Sequence, residues 1–164
     1  MAAKLLNNYA FIDSQNVNLG VQRLGWKLDF KKFRIYLKDK YDIAKAYMFI
    51  GYLPENQNLY KSLQEAGYIL VFKPILTNSD GTVKGNVDAD LVLRAMLDYN
   101  KYEKAVIVTS DGDFYSLVDH LYVENKLKIV LSPNKERCSI LLKKTAKEKI
   151  EYLDKLKNKI SHTK

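Results

Sequence analysis

Cysteine and histidine are scarce in this 164-residue sequence, and their scarcity excludes several kinds of functional site. The one cysteine, Cys138, has no partner for a disulfide within the chain and cannot build a cysteine-based zinc site. The two histidines, His120 and His162, are far apart in the sequence, which argues against a histidine-rich metal centre. Any bound metal would therefore need oxygen ligands, and such ligands favour Mg²⁺ or Mn²⁺.

Long apolar segments are lacking as well. Runs such as 69–72 and 105–108 are much shorter than the ~20 residues that a membrane-crossing helix needs. The first residues contain no apolar stretch that resembles a signal peptide. We therefore expect a cytoplasmic protein without a membrane span. Because 47% of its residues are hydrophobic, the chain can fold around a substantial core as one domain, 1–164.

The charge is strongly positive and unevenly distributed. The net charge is +8, and the residues from Lys135 onward contain ten Lys/Arg against four Asp/Glu. A basic surface attracts polyanions, so nucleic acid is the first partner to consider. The alternative is a lysine-rich helical segment that only keeps the protein in solution.

Strand-like and helix-like patterns alternate along the chain, which predicts an α/β fold. The apolar strands are nearly continuous, as in a parallel sheet covered by helices on both faces. A polar loop is predicted at 77–86, and a basic, mainly helical segment from about 135, interrupted around 150–153. The predicted strands are 9–13, 43–50, 68–72, 105–109 and 127–131. The predicted helices are one that begins after Asp29, then 56–66, 87–99 and one that contains Phe114 and Leu121.

Carboxylates follow the predicted strands at the positions where α/β proteins bind ligands. The ligand site of an open α/β sheet lies beyond the carboxyl ends of its strands. Asp13 ends the first strand, Asp111 and Asp113 follow the fourth, and Asp88 stands at the start of the helix before the fourth strand. Three separate segments thus bring acids to the same edge of the predicted sheet.

Helical spacing distinguishes Asp88 from Asp90. Asp88 shares a helix face with Leu91 and Ala95, the apolar stripe that must pack on the sheet. Asp90 lies on another face, four residues before Arg94, and we expect these two residues to form a surface ion pair. Asp88 is therefore the candidate functional acid, and Asp90 is the second choice.

Each of these polar residues also has a purely structural interpretation. Asp13 and Asp111 are suitable helix N-caps, Asp113 suits the first turn of a helix, and Asn16 suits the cap of a helix that starts near Val17. Several carboxylates at one sheet edge would nevertheless repel each other, and a divalent cation would relieve that repulsion.

Three motifs together resemble the NYN domain, the LabA-like branch of the PIN-like nuclease superfamily. They are Phe-Ile-Asp-Ser-Gln-Asn at 11–16, Lys-Gly-Asn-Val-Asp at 84–88 and Thr-Ser-Asp-Gly-Asp-Phe at 109–114. Their order and spacing make the resemblance more specific than any single motif, and it extends from about Tyr9 to about Leu153.

The resemblance implies a single three-layer domain with a parallel sheet in the order 3-2-1-4-5, so that strands one and four are neighbours. It also implies a metal-dependent ribonuclease that uses one or two Mg²⁺ or Mn²⁺ ions. Asp13, Asp88, Asp111 and Asp113 would be the metal ligands, directly or through water. Asn16 would orient a ligand or the scissile phosphate, and many relatives of this kind form homodimers.

Two further residues are candidate substrate contacts. Lys84 is well placed to contact a phosphate, and Tyr115, beside the acidic loop, to stack on a base. The expected substrate is RNA, and the sequence leaves DNA open.

Two other functions compete with the nuclease. Phosphatases that form an aspartyl-phosphate place Asp-x-Asp after strand one, but here Gln15 stands where their second carboxylate would be. A non-catalytic module could instead bind RNA or a protein, with the acids as a vestigial or regulatory metal site. Asp13 would then be dispensable for its role.

Overall fold

The computed structural model describes residues 7–74, 76–77, 79, 83–84 and 87–162, with 76–77 and 83–84 described by their backbone alone. The strands in this part of the chain are β1 (Asn8–Asp13), β2 (Ile43–Tyr52), β3 (Tyr68–Pro74), β4 (Leu76–Thr77), β5 (Val83–Lys84), β6 (Ala105–Val108), β7 (Leu127–Ser132) and β8 (Ile150–Tyr152). The helices are α1 (Ser14–Gln22), α2 (Phe30–Tyr41), α3 (Gln57–Glu65), α4 (Asp88–Leu97), α5 (Tyr115–Val123), α6 (Ile140–Ala146) and α7 (Lys157–Ile160). Short 3₁₀ helices lie at Pro54–Asn56, Gly112–Phe114 and Leu153–Leu156.

Six of the strands form one parallel sheet in the order β3-β2-β1-β6-β7-β8. Numbered within this sheet alone, the order is 3-2-1-4-5-6, which confirms the predicted α/β fold and the predicted order of the first five strands. β1 and β6 are central neighbours, with Ile12 opposite Val108. The segments that follow these two strands therefore emerge side by side at one edge.

The sixth strand lies in the C-terminal segment, which is therefore less helical than predicted. α6 ends at Ala146, the φ of 56° at the next residue, Lys147, turns the chain out of the helix, and β8 then pairs with β7. The pairing joins Val130 to Ile150, at the position where the sequence predicts an interruption. Only three residues form β8, so the alternating pattern that marks a longer strand is too brief to recognise.

Helices cover both faces of the sheet and enclose two apolar cores. One face carries α4, α5 and α6, which contribute Leu91, Leu121 and Leu142 to its core. The other face carries α1, α2, α3 and α7, with Val17 and Phe33 among the buried residues. Alternate β1 residues point into opposite cores, and every residue of β1 is buried. This is the predicted three-layer arrangement.

Local signals explain most of the helix boundaries. The Asp29 carboxylate accepts a hydrogen bond from the Lys32 amide at 3.0 Å and caps α2, as the sequence predicts. α1 begins at Ser14 rather than near Val17, because its cap is Asp13 and not Asn16. The predicted polar loop at 77–86 includes Thr77 of β4 and both residues of β5, which form a short antiparallel pair, and apart from residue 79 the rest of that loop lies outside the described residues. No helix in the described part of the chain is long and apolar enough to cross a membrane.

Candidate metal centre

The first element of the candidate site is Asp13, the last residue of β1. Its side chain is almost inaccessible to solvent, with 6% exposed. One carboxylate oxygen accepts a hydrogen bond from the Asn16 amide at 3.4 Å and caps α1. The other accepts a hydrogen bond from the Thr109 hydroxyl at 3.3 Å. Asp13 is thus a helix cap and a member of the site at the same time.

Asp88 reaches the site from the face of the sheet that carries α4, α5 and α6, which is opposite the face that carries α1. It is the first residue of α4, and Leu91 and Ala95 of the same helix are fully buried in the core that α4 shares with β1. That packing holds the N-terminus of α4 at the strand ends. Asp90 instead lies 3.5 Å from Lys73.

The expected Asp90–Arg94 ion pair is therefore wrong. The Arg94 guanidinium lies 3.7 Å from Asp98, also four residues away, and above the ring of Tyr47. Asp98 is almost fully buried and accepts a hydrogen bond from the Tyr47 hydroxyl at 2.7 Å, so it offers Arg94 a less solvent-screened partner than Asp90 does.

Asp111 is held by a chain of hydrogen bonds at the end of β6. The Ser110 amide donates to the Asn16 side-chain oxygen at 2.8 Å, and the Asp111 amide donates to the Thr109 hydroxyl at 3.1 Å. Thr109 is fully buried, and its hydroxyl joins Asp111 to Asp13. Sequence reasoning overlooked Thr109, although a hydroxyl residue between an apolar strand and an acid was a usable signal.

Residues of the C-terminal region form hydrogen bonds with the same loop. The Ser139 amide donates to the Ser110 carbonyl at 3.1 Å, and the Ser110 and Ser132 hydroxyls are 2.7 Å apart. Gly112 is so close to Ser139 that a Cβ at this glycine would lie 2.3 Å from the Ser139 hydroxyl oxygen. The segment from Lys135 therefore helps to fix the position of the acidic loop.

Three carboxylates converge at this edge of the sheet. Asp13, Asp88 and Asp111 each present an oxygen, and these oxygens all lie within 4.8 Å of one another. The pKa of the Asp13 carboxyl is raised from 3.8 to about 6, chiefly by burial and also by the negative charges of Asp88 and Asp111, although its hydrogen bonds act in the opposite direction. A proton or a cation at this point would relieve the repulsion.

The donor set fits a divalent cation. It consists of carboxylate oxygens from three rigidly placed segments, the ligand type that hard cations such as Mg²⁺ and Mn²⁺ prefer. The buried position of Asp13 adds an electrostatic reason, because an uncompensated charge there is unfavourable. Among the described residues, Asp13, Asp88 and Asp111 are the ones that could hold such an ion.

The other predicted site residues are not members of this cluster of described carboxylates. Asp113 is exposed and outside the set of converging oxygens, while its backbone amide donates to the Asp111 carboxylate at 2.8 Å. Tyr115 is the first residue of α5, and its side chain is 47% exposed. Lys84 belongs to β5, and its side chain lies outside the described part of the chain. Asn16 acts as the acceptor that ties α1 to the loop after β6.

Comparison with known proteins identifies relatives of this chain. It is 26% identical over 121 residues to the low amplitude and bright protein LabA of Synechococcus elongatus, a match that spans 68% of this chain and 65% of LabA. The crystal structure of a Vibrio parahaemolyticus protein of unknown function has the same fold, with a TM-score of 0.76 and 21% identity. That likeness covers 99% of this chain and 100% of the Vibrio chain.

A family model gives the clearest assignment. The NYN domain model matches residues 9–153, which extend from the second residue of β1 to just beyond β8 and include all three clustered acids. NYN domains are generally PIN-like nucleases, and the acidic cluster at the sheet edge is in agreement with that class of protein. This chain belongs to the NYN domain family.

Proposed function

We propose that this protein is a metal-dependent ribonuclease that hydrolyses phosphodiester bonds of RNA at the Asp13–Asp88–Asp111 cluster. The observation that carries the proposal is the convergence of these three carboxylates, within 4.8 Å, from segments far apart in the sequence. Helix capping accounts for Asp13 and Asp111 individually, but it does not account for their meeting with Asp88. A cytoplasmic location, where RNA is available, is part of the proposal.

The three clustered acids would hold Mg²⁺ or Mn²⁺. When bound, such an ion makes hydroxide available from water near neutral pH and stabilises the negative charge that builds on the phosphate. Asp113 would contribute to the same site through water, since its side chain is exposed.

The remaining candidate residues would position groups rather than bind the ion. Asn16 keeps the loop after β6 against α1, and so fixes the distance between Asp13 and Asp111. The Thr109 hydroxyl bridges the same two residues. Lys84 would contact a phosphate of the substrate, and Tyr115, exposed at the start of α5, would stack on a base.

The test is a cleavage assay with labelled single-stranded RNA, hairpin RNA and single-stranded DNA, each with Mn²⁺, Mg²⁺ or EDTA. Asp13→Asn removes the buried charge and keeps a residue that caps a helix as well as aspartate does, so the fold should persist. Asp119→Asn is the matched control, because Asp119 is an exposed residue of α5 outside the cluster.

We expect RNA cleavage that needs the metal, is abolished in Asp13→Asn and is unchanged in Asp119→Asn. If no substrate is cut, or if Asp13→Asn cuts as well as the parent, the proposal is wrong. Retained RNA binding without cleavage would then favour the non-catalytic module.

A further inference from the structure

A groove lined by residues of α1, the end of β2 and α3 lies beside the acidic cluster. Its volume is about 700 Å³. At one end it is lined by Ser14, which directly follows Asp13, and by Val87, which directly precedes Asp88. It is also lined by Phe49, the neighbour of Asp13 in the pairing of β1 with β2. A molecule whose reacting group lies at the cluster could therefore continue directly into this groove.

The α1 wall of the groove is lined by side-chain amides. Gln15, Asn18 and Gln22 all line it, and their spacing of three and four residues places them on one face of α1. Asn56, just before α3, supplies another amide. Within the described part of the chain, no hydrogen bond of the protein engages the side chains of Gln15, Asn18 or Gln22, so their donors and acceptors are available to a ligand.

The remaining surface of the groove is mostly apolar near the cluster and becomes cationic away from it. Phe49, Leu28 and Leu63 are buried residues along its length. Lys27 lies at the far end, where a second cavity of about 490 Å³ continues the groove and adds Lys31.

His162 also lies beside this cationic part. The His162 amide donates to the Lys27 carbonyl at 2.8 Å, and the His162 side chain lines the second cavity. Asp29 and Glu65 line that cavity too, so the cationic character is moderate. The Asp29 carboxylate is engaged in capping α2.

This chemistry suits nucleobases better than it suits a phosphate backbone. Base edges are uncharged donors and acceptors that side-chain amides can match, and base faces are flat surfaces that pack on apolar side chains. Phosphates require cations, and among the described residues that line the groove and the second cavity the lysines are Lys27 and Lys31. In a duplex the Watson–Crick edges are already paired, and side chains cannot read the deep major groove of A-form RNA.

We propose that this amide-lined groove binds the unpaired bases of a single-stranded nucleic acid, beside the bond that the acidic cluster cleaves. The inference rests on the proposed nuclease function and deepens it, because it selects unpaired over paired substrates. Gln15 and Asn18 contact the bases nearest the cluster, and Lys27 contacts a phosphate farther along the strand.

The test measures binding separately from cleavage. Fluorescence anisotropy of a short labelled RNA, in EDTA to prevent cutting, compares the single strand, the same strand annealed to its complement, and the corresponding single-stranded DNA. The key variant is Gln15→Ala with Asn18→Ala. Its matched control is Asn58→Ala with Gln64→Ala, which removes two exposed amides of α3 that do not line the groove.

We expect the single strand to bind at least about tenfold more tightly than the duplex, and the Gln15/Asn18 variant to lose about tenfold in affinity through two or so hydrogen bonds. The Asn58/Gln64 variant should bind like the parent. Lys27→Ala should weaken binding and reduce its salt dependence by about one phosphate contact. The relative binding of RNA and DNA strands shows whether the groove also reads the 2′-hydroxyl.

Equal binding of duplex and single strand, or equal affinities of the Gln15/Asn18 variant and its control, would overturn the groove assignment. A parallel cleavage assay with Mn²⁺ separates this failure from failure of the nuclease proposal. RNA that is cut without any dependence on Gln15 and Asn18 refutes the groove alone. RNA that is bound through these amides but never cut refutes the nuclease and supports the groove.

Discussion

Replacing Asp13 with asparagine should stabilise the metal-free protein while it abolishes cleavage. The Asp13 carboxyl is 6% exposed, and its pKa is about 6 in the folded protein compared with an ordinary value of 3.8. The two pKa values differ by roughly two, which corresponds to a loss of about 3 kcal/mol in the free energy of unfolding when the carboxylate is charged, at 1.36 kcal/mol per pKa unit. Since asparagine carries no charge, the variant avoids this unfavourable burial and retains the helix cap.

The sign of the pH dependence follows from the direction of the pKa shift. Below about pH 4 the carboxyl is protonated in both the folded and the unfolded chain, so it does not weaken folding. As the pH rises from about 4 to about 6, the unfolded chain releases the proton and the folded chain retains it. The free energy of unfolding of the parent should therefore fall relative to Asp13→Asn across this interval, and the difference should then stay constant up to neutral pH.

Urea denaturation in EDTA, at about pH 4 and about pH 7, measures this difference. We expect Asp13→Asn to exceed the parent by up to about 3 kcal/mol at about pH 7, and by much less at about pH 4. Adding Mn²⁺ at about a hundred times its dissociation constant should raise the free energy of unfolding of the parent by about 2.7 kcal/mol and that of the variant by little. Asp119→Asn, an exposed control, should follow the parent in every condition. If Asp13→Asn is less stable than the parent by the same amount at both pH values, Asp13 is a structural cap and the electrostatic reasoning is wrong.

Three further substitutions test other parts of the site. Asp111→Asn should abolish cleavage and weaken Mn²⁺ binding at least about tenfold. Asp113→Asn should have a smaller effect on both, because the Asp113 side chain is exposed and outside the cluster. Calorimetric titration with Mn²⁺ compares the two variants, and equal losses of affinity would contradict this ranking. Asn16→Ala removes the 2.8 Å acceptor of the loop amide, and it should lower the free energy of unfolding by about 1 kcal/mol and also weaken Mn²⁺ binding; a loss of stability with unchanged Mn²⁺ binding would make its role purely structural. Gly112→Ala places a Cβ 2.3 Å from the Ser139 hydroxyl oxygen, so it should lower both the melting temperature and cleavage, and adding Ser139→Ala should partly restore them; simple additivity of the two changes would show that this contact is not the cause.

The sequence contains most of the information about the fold and about the acids, because both depend on local patterns. Apolar runs mark β1 and β6, and the spacing of Leu91 and Ala95 shows which way Asp88 faces. Neighbouring positions for β1 and β6 were implied by the family resemblance and not by any local pattern. Strand order depends on pairing between strands that are far apart in the sequence, and the residues of a strand do not indicate which strand it pairs with.

The interactions that shape the site were less predictable. The hydrogen bond from the Ser110 backbone amide to the Asn16 side-chain oxygen joins residues 94 positions apart, and neither residue type indicates the other as its partner. The Asp90–Arg94 prediction was wrong for the same reason, since Arg94 also has Asp98 four residues away, and burial of Asp98 decides between them. The amide groove combines α1 with residues near α3, two elements that are joined only by the tertiary fold.

The distribution of the carboxylates along the chain determines when the acidic cluster can first form during synthesis. Asp13 belongs to the first strand, whereas Asp111 follows β6, and the loop that carries Asp111 is further held by Ser139. A polypeptide is made from its N-terminus, so a chain emerging from the ribosome contains Asp13 long before the partners of that residue exist. Parallel strands distant in sequence also pair slowly, because a long loop must close first. The proposed ribonuclease would therefore be inactive beside the messenger RNA that encodes it, and it would become able to cut RNA only after β6 has joined β1.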